Sequence, residues 1–149
     1  IDTGGIIMKT RVLVSMLIIG ALIFGLFTPA SAVEIQSSEY ISYASCSLTK
    51  GNGAGQITVS YSVRSGKTNL TRIGVSQIAI YKAAGTFVRS VYGSASNGLI
   101  KTSGSVATGA YTFDCAPNTS YYAIVYFTAK DANGFDNTSR TTNTVTSPA

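Results

Sequence analysis

The stretch QITVSYSVR, residues 56–64, places apolar side chains at Ile57, Val59, Tyr61 and Val63 and hydroxyl side chains at Thr58, Ser60 and Ser62. A period of two sends successive side chains to opposite faces of an extended strand, whereas a helix needs apolar residues at three- and four-residue steps. The segment therefore predicts a half-buried strand with one face on a core and one in water. The same alternation recurs downstream, broken by Gly, Asn, Ser and Pro, and no segment after residue 40 shows helical period. The spacing predicts seven strands, over 40–49, 56–64, 73–82, 86–92, 105–114, 121–130 and 139–146. GNGAG (51–55) reads as a turn, and 65–72 and 93–104 read as loops, the latter with little to bury. Seven short strands with frequent turn signals argue for an all-β fold, a single antiparallel two-sheet sandwich spanning 40–149.

The N-terminal quarter, residues 1–39, reads differently. Met8 is followed by Lys9 and Arg11, an apolar or small run from Val12 to Phe27, and the ending Thr28-Pro29-Ala30-Ser31-Ala32. A short basic stretch, an apolar stretch and an A-x-A site are the parts of a secretory signal peptide. The run falls short of the roughly 20 residues that a membrane-crossing helix needs. Residues 8–32 are thus expected to be a leader cleaved after Ala32, with the rest secreted and no membrane contact afterwards. IDTGGII (1–7) fits no part of such a leader and reads as upstream sequence or an expression remnant. Residues 33–39 read as a flexible N-terminal segment.

Charge and chemistry narrow the function. From Val33 onward there are nine Lys/Arg against five Asp/Glu, a net charge of +4. The basic residues are scattered, and nucleic-acid binding wants them clustered. A scattered positive surface does allow weak attraction to anionic polymer. The chain contains no His, which removes the commonest general base and the most frequent metal ligand. With so few carboxylates left for an acid–base pair, no enzyme, no cofactor and no metal are expected. The segment DANGFDN (131–137) offers Asp131, Asn133, Asp136 and Asn137 as oxygen donors for Ca²⁺. It lacks a distal bidentate Glu and suits a hairpin turn better. Cys46 and Cys115 form an even pair, which in an exported chain predicts one disulfide. Closing a loop of about 70 residues, it would contribute roughly 4 kcal/mol. Asn69, Asn118 and Asn137 match the N-glycosylation pattern, which matters only in a eukaryotic secretory route.

One motif carries a resemblance. In CAPNTSY, Pro117, Thr119 and Tyr121 follow Cys115 at two-residue steps. This resembles the corner before the sixth strand of fibronectin type III and related immunoglobulin-like domains, Leu-x-Pro-x-Thr-x-Tyr. The resemblance implies that the Tyr121 hydroxyl bonds back to the corner backbone. Asn118 would take the left-handed conformation, and Tyr121, Ala123, Val125, Phe127 and Ala129 would point inward. Cys115 in place of Leu and the missing Trp of the second strand depart from that pattern. The whole chain also resembles small uncharacterised exported proteins of clostridia and related Gram-positive bacteria.

If Tyr121 leads the inward set, Tyr122, Ile124 and Tyr126 face outward. With Ile78 and Ile80 inward on the neighbouring strand, Tyr81 joins them. The outer face of a sandwich is ordinarily polar, so Tyr81, Tyr122, Ile124 and Tyr126 are the candidate partner-binding residues. The expected function is a monomeric, non-catalytic exported binding or adhesion module for a protein or a surface glycan. The alternative is a secreted effector, an inhibitor or small toxin, acting through loop 65–72 or 93–104.

Overall fold

The computed structural model describes residues 39–149. The expected remnant, the expected leader and residues 33–38 lie outside the described residues. The described chain is all-β, with strands β1 (Tyr43–Lys50), β2 (Gln56–Arg64), β3 (Arg72–Lys82), β4 (Phe87–Tyr92), β5 (Ile100–Lys101), β6 (Val106–Asp114), β7 (Ser120–Lys130), β8 (Phe135–Thr141) and β9 (Val145–Thr146). They form two antiparallel sheets. One has the order β1-β2-β6; the other runs β4-β3-β7-β8, with β5 added to β3 and β9 to β7.

The alternation places the core as expected. Ile57, Val59, Tyr61 and Val63 are buried, and across the ladder they share their face with Leu48 of β1 and Ala107 and Phe113 of β6. The other sheet answers with Ile78 and Ile80 of β3 and Tyr121, Ala123, Val125, Phe127 and Ala129 of β7. Every residue of this core cluster lies between 40 and 129. Tyr40 and Ile41 are buried although the first strand starts only at Tyr43, so the core reaches into the segment ahead of β1.

Three expectations need correction. First, residues 93–104 are not a free loop. Leu99 and Ile100 are buried, β5 pairs with Ile73 and Gly74, and the Leu99 carbonyl accepts the Val75 N–H. Gly74, at φ +148°, allows this close approach, because a Cβ there would sit 2.1 Å from the Leu99 oxygen. The Tyr61 hydroxyl, crossing Gly109, donates to the Gly98 carbonyl and ties the segment to the opposite sheet. Second, the last expected strand is two. β8 begins earlier, at Phe135, and the chain leaves the ladder before β9. Between them Thr142 still pairs with Ala123 through both its N–H and its hydroxyl, while Asn143 turns away.

Third, Cys46 and Cys115 are free. Cys46 lies level with Tyr61, which is level with Gly109 on β6, and Cys115 is six residues beyond Gly109. Two strand spacings across and six residues along put the two residues about 20 Å apart. A disulfide needs Cα atoms within about 7 Å, so this pair cannot be bridged in the fold.

The sandwich is stitched at its edges and ends. The Asn143 amide accepts the Leu48 N–H and donates to the Leu48 carbonyl, imitating a neighbouring strand on the open edge of β1. At one end, the Pro148 carbonyl accepts from Gly55 and Asn118, beside the 115–119 corner. At the other end, Tyr40 packs by the 131–134 hairpin.

Candidate functional site

The register of the larger sheet assembles the outer face row by row. Tyr81 stands opposite Tyr122, Ala79 opposite Ile124, and Gln77 opposite Tyr126. The four candidate residues Tyr81, Tyr122, Ile124 and Tyr126 therefore share one face of two adjacent strands. The Tyr81 and Tyr122 rings stack at 5.4 Å with planes 12° apart. Such a pair contributes about 0.5–1.5 kcal/mol beyond its buried area. Tyr81, Tyr122 and Ile124 are half-buried, and Tyr126 is exposed.

Two further aromatics belong to the same face. Phe87 pairs with Tyr81 and packs edge-on against its ring at 5.6 Å; Tyr92 pairs with Gln77. Phe87 is 55 % exposed and Tyr92 71 %. Alternation hides this arrangement, because residues five apart on a regular strand face opposite ways. A register shift between Ile80 and Tyr81 adds one residue on β4 and turns both rings to the same side. The face thus has one row of Phe87, Tyr81 and Tyr122, a middle row of Ser90, Ala79, Ile124 and Thr141, and a third of Tyr92, Gln77, Tyr126 and Ser139. Hydroxyls and an amide alternate with rings.

The corner motif is a structural node. The Tyr121 hydroxyl accepts the Ala116 N–H at 3.1 Å and donates to the Ala116 carbonyl at 3.2 Å. Asn118 has φ +53°, and the Thr119 hydroxyl donates to the Pro117 carbonyl. Ser147 Oγ accepts the Thr119 N–H and lies within hydrogen-bond distance of the Ala116 carbonyl. Pro117, Thr119 and Tyr121 are thus committed to holding the start of β7.

The 131–137 segment is a hairpin whose carboxylates are already engaged. Asp131 Oδ1 accepts the Asn133 and Gly134 N–H groups and the Tyr40 hydroxyl, and Asp136 Oδ2 accepts the Tyr40 N–H. The Asn133 N–H is the largest cause holding the Asp131 carboxyl below its usual range; Tyr40, Gly134 and Lys67 add to it against the opposing effect of burial. Among the described residues no three His, Cys, Asp or Glu side chains group as metal ligands.

The thiols are muted. Burial pushes Cys46 up, opposed by the Arg140 charge, and burial pushes Cys115 up, opposed by Arg89. Less thiolate at neutral pH means less nucleophile. On the outer side of the smaller sheet Ser45, Ser47, Ser60 and Ser62 line an open depression of about 360 Å³. Beside them the Thr58 and Thr112 hydroxyls bond each other at 2.9 Å. Comparison with known protein families, curated proteins and solved structures finds no match for the chain.

Proposed function

We propose that the chain is an exported, non-catalytic binding module that meets its partner through the outer face of β4, β3 and β7. The single observation that carries this reading is the pair of aromatic rows, Phe87–Tyr81–Tyr122 and Tyr92 with Tyr126, flanking Ile124 on a face that a sandwich ordinarily leaves polar. Contiguous exposed apolar surface of this kind marks interaction sites. Tyrosine suits them because it joins a large contact area to a polar tip. The leader-like residues 8–32 supply the reading of export, and the resemblance to small Gram-positive exported proteins supplies the choice of target surface.

The finer fold assignment, fibronectin type III within the immunoglobulin-like group, belongs to the same proposal. Its support is the hydroxyl-closed corner at Tyr121 and the strand order, in which β1, β2 and β6 face β3, β7 and β8 while β4 lies beside β3. The pinned segment 93–104, with Leu99 buried, counts against an effector acting through that loop.

The test is co-sedimentation of residues 33–149 with washed Gram-positive cell walls, wild type beside Tyr122→Ser/Tyr126→Ser. The variant keeps the net charge, so generic attraction of a basic protein to anionic wall polymer is common to both. Loss of the Tyr81–Tyr122 stack is expected to cost about 1 kcal/mol of stability, leaving the fold intact. We expect wall binding to fall at least tenfold in the variant. Equal sedimentation of both proteins would remove the aromatic face from the reading.

A further inference from the structure

The charges around the aromatic strip are one-sided. Among the described residues the acids are Glu39, Asp114, Asp131 and Asp136, and none lies on the outer face of the larger sheet. Glu39 pairs with Lys67 at 2.6 Å, Asp114 accepts from Gln56 on the smaller sheet, and Asp131 and Asp136 hold Tyr40 at the hairpin. The outer face instead carries Arg72 directly opposite Lys130, with Phe135 opposite Lys130 on its other side. Arg72 and Lys130 are exposed, and neither joins an ion pair with a described residue. Like charges set opposite each other across a ladder destabilise a sheet. Here that arrangement stands at the end of the strip, eight residues or about 27 Å along β7 from Tyr122.

We infer that this face takes an anionic polysaccharide, its acidic groups seated on Arg72 and Lys130 and its sugar rings running along the strands across the aromatic rows. The inference rests on the aromatic face being the binding surface and names what binds there. An anion between Arg72 and Lys130 relieves their repulsion, and the guanidinium can grip a carboxylate through two parallel N–H bonds. A sugar presents C–H faces and hydroxyl edges, which match the exposed Phe87 and Tyr92 rings alternating with Gln77, Ser90 and Ser139. A peptide that adds a strand, by contrast, gains its affinity from backbone hydrogen bonds at a sheet edge, and a sheet face offers none.

The test is calorimetric titration of residues 33–149, a stretch that holds every core residue among those described. The probes are hexagalacturonate, neutral maltohexaose and hexaglutamate at low and physiological salt. Hexagalacturonate is expected to bind at least tenfold more tightly than the other two. Arg72→Gln/Lys130→Gln is expected to lose that advantage, while Lys50→Gln/Arg64→Gln, with the same change of net charge on the smaller sheet, keeps it. Equal binding of maltohexaose, or undiminished binding by Arg72→Gln/Lys130→Gln, would overturn the anionic seat and leave the aromatic-face reading standing. Equal binding of hexaglutamate would overturn the sugar specificity, and no binding of hexagalacturonate would overturn the inference outright. Binding that survives Tyr122→Ser/Tyr126→Ser would overturn the aromatic-face reading and this inference with it.

Discussion

Asp131 shows how much one side chain can hold. Its carboxylate accepts from two N–H groups of its own hairpin and from the Tyr40 hydroxyl, joining the β7–β8 turn to the segment ahead of β1. Because these donors depress its pKa in the folded state, the stability it contributes is fully present above the ordinary carboxylate range. That contribution is lost as the pH falls through the depressed value. Thermal unfolding followed from pH 7 down to pH 2 is expected to show a smaller acid-induced fall in Tm for Asp131→Asn than for wild type. Parallel Tm profiles would refute the linkage. From sequence, Asp131 read as a turn residue with a weak claim to calcium; its partner Tyr40 is 91 positions away, and no local pattern reports so distant a contact. The corner at Tyr121 was legible because its signal is local. Pro, Thr and Tyr at two-residue steps describe a turn that bonds mostly to itself.

At the scale of elements, legibility followed regularity. β2, β3, β6 and β7 lie within a residue of their expected bounds because each is a strand of 9 or 11 residues laddered to a neighbour along its length. The irregular elements were missed for one shared reason: their backbone groups are satisfied by distant side chains or by bulges. Residues 93–104 looked polar, yet a tyrosine hydroxyl from β2 and a close approach at Gly74 fasten them. Phe87 and Tyr92 were absent from the candidate patch because a register shift decided their direction. The break between β8 and β9 exists because Asn143 leaves the β7 ladder to serve the edge of β1. Asn143→Ala strands the N–H and carbonyl of Leu48 beside the core, which is expected to cost about 1–3 kcal/mol. Urea unfolding checks this through a lowered midpoint with an unchanged slope. An unchanged midpoint would mean that water replaces the amide without loss.

For the whole molecule, the two-sheet architecture was readable and the covalent framework was not. An even cysteine count carries no information on distance, and the fold sets the two thiols about 20 Å apart on opposite flanks of β2. Stability therefore rests on packing and edge contacts. Unfolding in denaturant without reductant is expected to expose two alkylatable thiols per chain, and reductant is expected to leave Tm unchanged. A Tm that fell in reductant by the equivalent of roughly 4 kcal/mol would restore the cross-link.

The positions of Tyr40 and Pro148 have a mechanical consequence. Tyr40 sits by the 131–134 hairpin, and Pro148 sits by the 115–119 corner, so the 11 residues of β7 run between them. A pull applied at these two points acts along the strands. The hydrogen bonds of the ladders are then loaded together in shear instead of being opened one after another like a zipper. A protein anchored at one end while its other end is dragged by flow would resist as a block, up to the force at which a whole strand slides.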